Sequence, residues 1–136
     1  KGGVVDNRTS GPLADGLADL AGRLQRAGKT VILIGPIEQP NFEVASEYSR
    51  QLAYGRPHHN PDHRARSVFD ARHGAALARL ARLPDVRLIR PDKVQCEGQQ
   101  CRFILAGRAL FSDGNHLAQG ELWRFAPLFV GVADAR

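Results

Sequence analysis

The chain has 136 residues, 43% of them hydrophobic and 24% charged, with a formal net charge of +5. That length supports one domain with one core, and the balance argues against wholesale disorder. No apolar run is long enough for a membrane span, and the positive charge is mostly Arg scattered among Ala, Gly and Leu rather than a cationic stripe interleaved with aromatics, which argues against a nucleic-acid partner. Only Arg64, Arg66 and Arg72 cluster, and they read as a solvated helix face. The chain lacks Met and opens on Lys1-Gly2-Gly3, so it reads as a piece of a longer product.

In chain order, Val4 and Val5 suit the end of a strand, and residues 7–12 form a polar connection. Ser10 can cap a helix and Pro12 suits its first turn. Leu13, Leu17, Leu20 and Leu24 then recur at helical spacing and predict an apolar stripe on a helix over residues 12–26, closed by Gly28. Thr30-Val31-Ile32-Leu33-Ile34 is a β-branched run of the kind buried on both faces of a parallel sheet. Pro36 and Pro40 keep the next segment irregular, and a short helix is expected over 43–52. Residues 54–62 read as a loop.

A second long helix is expected over 64–83, with Val68, Ala71, Ala75, Leu77 and Leu80 inward and His73 on its surface. Pro84-Asp85 ends it, and Val86-Arg87-Leu88-Ile89 predicts the next strand, parallel to the first through a right-handed crossover. Residues 91–110 read as an excursion with two short strands. A final helix is expected over 117–129, packed through Trp123, Phe125 and Phe129.

Cys96 and Cys101 bracket Glu97-Gly98-Gln99-Gln100. An even count at this short spacing, with Gly inside, fits a disulfide across a hairpin and an oxidising compartment; two reduced thiols are the alternative. His58, His59 and His63 could join the cysteines in a zinc site, but Pro61 interrupts the histidines and Cys-x4-Cys is loose for zinc, so no metal is expected. No cofactor is expected either.

The stretch that carries chemistry is Phe111-Ser112-Asp113-Gly114-Asn115-His116-Leu117. An Asp three residues before a His, on a loop, is a compact base-and-orienter pair. The carboxylate can accept from one imidazole nitrogen, fixing the tautomer, while the other takes a proton from a nucleophile. Gly114 permits the tight link. The plainer reading of the same residues is an Asp that caps the last helix beside a surface His.

Asp113-Gly114-Asn115-His116-Leu117 resembles the last sequence block of SGNH (GDSL-like) hydrolases. Ala27-Gly28-Lys29, the run from Val31 into Gly35-Pro36-Ile37, and the Cys96/Cys101 pair extend the likeness to SGNH domains fused to membrane-bound acyltransferases that O-acylate bacterial surface polysaccharides. Two departures stand out: Ala118 replaces the usual Ser after His-Leu, and no Gly-Asp-Ser nucleophile block is present. Ser10, Ser46, Ser49, Ser67 and Ser112 lie in cap, helix or loop contexts. Asn7 could match the family's oxyanion asparagine or be a turn residue.

The resemblance implies a flavodoxin-like α/β fold, a parallel sheet flanked by helices, with residues 1–136 as the C-terminal part of one SGNH domain whose N-terminal part is missing. Asp113 and His116 would be the catalytic Asp-His of a triad, with no nucleophile in this chain and no activity expected from it alone. The partners implied are an acyl donor and a sugar-hydroxyl acceptor. The parent would carry an N-terminal transmembrane acyltransferase domain, with this domain on the periplasmic or extracytoplasmic face of a bacterial inner membrane. A non-catalytic module binding carbohydrate or an anionic polymer is the alternative. A Gly-Asp-Ser block upstream in the parent would favour the enzyme.

Overall fold

A computed structural model describes residues 10–55 and 59–132. Val4, Val5, Asn7 and His58, weighed above, lie outside the described residues. The first helix, α1 (Ser10–Arg26), leads through Gly28 at φ +73° into strand β1 (Val31–Ile34). The crossover carries α2 (Val44–Tyr54), a short strand β2 (His63–Ala65) and α3 (Arg66–Leu80) before β3 (Val86–Ile89). β1 and β3 pair in parallel in the register Val31↔Val86 to Ile34↔Ile89, as their two apolar runs predict.

The excursion that follows is richer than expected. A single helical turn, α4 (Asp92–Gln95), runs into β4 (Cys96–Glu97) and β5 (Gln100–Arg102), joined by the Cys96–Cys101 disulfide. β2 adds to β5, giving an antiparallel sheet in the order β2-β5-β4. A second hairpin, β6 (Ile104–Leu105) and β7 (Arg108–Ala109), turns through Ala106 and Gly107, both at positive φ as tight two-residue turns require. Among the described residues no helix is long and apolar enough to cross a membrane.

Three burial expectations fail for physical reasons. α1 approaches α3 through small side chains: Ala14 and Ala21 are buried, whereas Leu13, Leu20 and Leu24 of the expected stripe stay 64, 48 and 39% exposed. Alanine lets two helices come close, and Asp15 paired with Arg79 fixes the same rotation. On α3 the inward residues are Phe69, Leu77 and Leu80; Ala71 and Ala75 face out and Val68 is half-buried. Phe69 anchors that face against Leu77 and the disulfide. The strands are not buried on both faces: only Val31 and Ile89 are buried, and Ile34 is 62% exposed.

The final α-helix over 117–129 does not form. Gln119–Arg124 and Ala126–Phe129 are 3-10 turns instead, with Glu121 N–H bonding to Ala118 O at 2.9 Å and Leu128 N–H to Phe125 O at 3.0 Å. Gly120 weakens an α-helix and Pro127 lacks the N–H one would need. Phe125 joins Val44, Phe103, Leu110 and Phe111 in the main core, Trp123 remains exposed and Phe129 is only partly covered. Arg87 of β3 ties this segment down by donating to Leu128 O and Val130 O.

Candidate active site

Phe111 and Leu110 are fully buried, and Phe111 bridges to Leu117, so the chain leaves the core and returns to it within six residues. Ser112 N–H donates to His116 O at 2.9 Å and closes the neck of this turn. Inside it Asp113 folds back. Its Oδ1 accepts the N–H groups of Asn115 and His116 at 2.9 and 2.8 Å, the local carboxylate turn that Asp readily makes. Its Oδ2 lies 2.8 Å from Nδ1 of His116. The sequence expectation offered Asp113 as either orienter or cap; here one oxygen takes the turn's own backbone and the other takes the imidazole.

The N–H donors of Asn115 and then His116, followed by the imidazole itself, hold the Asp113 carboxyl well below its usual range, at about 2. It is therefore a carboxylate at neutral pH and can only accept, so Nδ1 of His116 carries the proton. In the neutral ring this leaves the Nε2 lone pair available, and Nε2 has no hydrogen-bond partner among the described residues. The imidazole is open to solvent, its side chain 74% exposed. The Ser112 hydroxyl donates to the His116 backbone carbonyl at 3.2 Å rather than to the ring.

The turn rests on the segment that leaves the C-terminal end of β1. Asn41 N–H donates to Gly114 O at 3.2 Å, and a Cβ on Gly114 would stand 3.4 Å from Phe42 N. A cavity of about 620 Å³ opens beside this contact, walled by Ile34, Ile37, Leu117, Phe125 and Phe129, with Asn41 on its edge. Half-buried His73 also lines it, packed on Phe69 at 5.0 Å rather than lying on the surface as expected; burial lowers its pKa.

Beneath the turn-bearing segment lies a charge network that the sequence reading missed. Glu38 and Asp92 are 1 and 0% exposed. Glu38 pairs with Arg64 and with Arg72 at 2.9 Å; Asp92 takes Arg90 through two bonds of 2.7 Å and Arg66 at 3.3 Å. Arg64, Arg66 and Arg72 are thus not a solvated helix face but the counter-charges of buried acids. The one available signal was Glu38 itself, a charged residue within Gly35-Pro36-Ile37-Glu38-Gln39-Pro40 at the end of an apolar strand. Near the last segment Glu121 is buried between Arg108 and Arg124, whose bonds lower its pKa.

The zinc alternative loses its thiolates, since Cys96 and Cys101 are bonded to each other. His63 is engaged by Asp62 at 2.7 Å and lies 3.2 Å from Gln100, and His59 is exposed. Among the described residues no group of three or more His, Cys, Asp or Glu converges on a metal position.

No curated protein and no solved structure matches the chain. A family model described as "SGNH domain (fused to AT3 domains)" matches residues 3–130. Fusion to AT3 domains points to a membrane acyltransferase as parent. Because the match covers nearly the whole chain, the chain belongs to the SGNH domain family, in the branch fused to AT3 acyltransferase domains.

Proposed function

We propose that this domain supplies the base and its orienter, His116 and Asp113, for transfer of an acyl group through a serine ester to a hydroxyl of a cell-surface glycan. The observation that carries the reading is the 2.8 Å contact between Asp113 Oδ2 and His116 Nδ1, with Nε2 unengaged among the described residues. Asp113 fixes the tautomer and steadies the imidazolium when it forms. In the first half-reaction Nε2 takes the proton of a serine hydroxyl as its oxygen attacks the acyl carbonyl, and returns that proton to the leaving group. In the second, a sugar hydroxyl attacks the acyl-serine, gives its proton to Nε2, and the serine oxygen recovers it.

The serine comes from outside this chain, on a sheet of flavodoxin type of which β1 and β3 are the C-terminal part. Support comes from the edge of β1 that no strand among the described residues covers, its exposed Ile34, and the outward leucines of α1. The apolar-walled cavity beside the turn suits the acyl portion of the substrate. The disulfide suits an oxidising compartment, and with a membrane parent this supports a position on the extracytoplasmic face.

The test is His116→Ala in the full-length protein, with glycan O-acylation read by mass spectrometry of the purified polymer. Transfer should fall by roughly 10⁴-fold or more while protein level and unfolding midpoint hold. Acylation at the wild-type level would remove His116 from the reaction and end this reading.

A further inference from the structure

We infer that Arg64 and Gln95 are positioning residues for the Asp113–His116 pair, acting through the backbone of residues 38–41; the inference rests on the acid–base reading of that pair. Residues 38–41 belong to no helix or strand, so no ladder of backbone hydrogen bonds fixes them. Each is held from elsewhere instead. The amide of Gln95, itself fully buried, accepts from Glu38 N–H at 2.8 Å and donates to Glu38 O at 2.7 Å. Gln95 is in turn fixed at the end of α4, directly before the disulfide-bonded Cys96.

Arg64 continues where Gln95 stops. One guanidinium pairs with the Glu38 carboxylate, donates to Gln39 O at 3.0 Å and donates to Pro40 O at 3.1 Å. It therefore spans three consecutive residues. It does so from two nitrogens of a rigid planar fork, a placement that the single nitrogen of an ammonium does not reproduce. Balancing the Glu38 charge does not require the two carbonyl bonds, because Arg72 also reaches that carboxylate. Those bonds fix where the backbone runs.

Asn41 comes next, at φ 62°, and its N–H passes the position on to Gly114 O inside the turn. Gly114 also lies against the backbone of Asn41 and Phe42, so a shift of residues 38–41 moves the turn both by hydrogen bond and by contact. Between Arg64 and the imidazole there is a continuous path of bonded or touching groups.

The experiment uses the full-length protein carrying this domain. Arg64→Lys keeps the charge opposite Glu38 and loses the span. It should lower kcat roughly a hundredfold with KM within about twofold, the size expected when a catalytic group is displaced without loss of substrate contacts. Hydrogen exchange in peptides covering 38–42 and 112–117 should quicken together. Arg66→Gln removes a comparable buried ion pair at Asp92, and Arg66 makes no hydrogen bond to residues 38–41 among the described residues. It should lower the unfolding midpoint and leave kcat and those two peptides unchanged.

Wild-type kcat in Arg64→Lys, or an equal kcat loss in Arg66→Gln, would overturn the inference, since the network would then supply general rigidity only. If Arg64→Lys does not fold, exchange at the Asn41 amide of the wild-type protein decides. Protection there supports the link to Gly114, and exchange at the rate of an open amide removes it. Wild-type turnover in His116→Ala would sink the acid–base reading itself. An inactive His116→Ala beside a fully active Arg64→Lys would sink only the positioning role.

Discussion

Asp113 and Glu38 are both ion-paired carboxylates, and they lie on two segments that touch, yet they are built in opposite ways. Glu38 is wholly buried and faces two arginines brought from β2 and α3; Asp92 beside it is buried and faces two more. Asp113 is 38% exposed and is held by the N–H groups of its own turn and one imidazole. The buried acids draw partners from other elements, Glu38 from β2 and α3 and Asp92 from α3 as well as from neighbouring Arg90, so they lock elements together. The surface acid takes its partners from within three residues and leaves one ring nitrogen facing outward. A carboxylate that serves structure is removed from solvent and ion-paired to arginine, as Glu38 is through Oε1. One that serves chemistry is closed on one side and open on the other.

The sharpest way to break this contrast is Asp113→Asn in the full-length protein. Turnover should fall roughly 10⁴-fold with the fold intact, because an amide facing Nδ1 favours the wrong tautomer. A loss below about tenfold would place Asp113 with the structural acids. Asp92→Ala should do the reverse. It strands Arg66 and Arg90 and should lower stability by about 3 kcal/mol in chemical denaturation, with turnover at low temperature unchanged.

A smaller effect is expected from the disulfide, which closes a loop with a sequence separation of only 5. Replacing both cysteines by Ser should cost about 2 kcal/mol on the chain-entropy account. A cost near that of Asp92→Ala would mean that the bond also holds Gln95 in place. The smallest effect concerns acid. The Asp113 carboxyl titrates at about 2 in the folded state, below its unfolded value of about 3.9. Its contribution to stability is therefore fully present above pH about 4 and is lost as pH falls through about 2. An acid titration of the turn, followed by exchange of the Asn115 and His116 amides, should show protection persisting at pH 4 and failing near 2.

What could be read from sequence divides along the range of the forces involved. The two parallel strands, the helix before each of them, the cysteine hairpin and the Asp-x-x-His turn are all local patterns, and each formed where the residues placed it. Contacts set by distant partners were not legible. The leucine spacing on α1 is real, but alanines rather than leucines meet α3. Nothing near Arg64 or Arg72 announces that Glu38, more than twenty residues earlier, is their partner. Strand β2 was invisible because His63-Arg64-Ala65 has no apolar alternation; it exists because β5 lies beside it. The final segment kept its turns and lost its α-helix to Gly120 and Pro127, two residues that periodicity alone does not weigh.

The outward face of α1 has a practical consequence for anyone handling these residues. Leu13, Leu20 and Leu24 lie on one helix, and with Ile34 they offer water a set of large apolar side chains that no described part of the chain covers. Apolar surface gathered in this way drives molecules together as their concentration rises. Preparations of the isolated chain will therefore need dilution, mild detergent or polar replacements along that helix to stay monodisperse. Replacing Leu13 and Leu20 by Glu or Lys would improve yield without touching the residues that carry the chemistry, which lie on other elements.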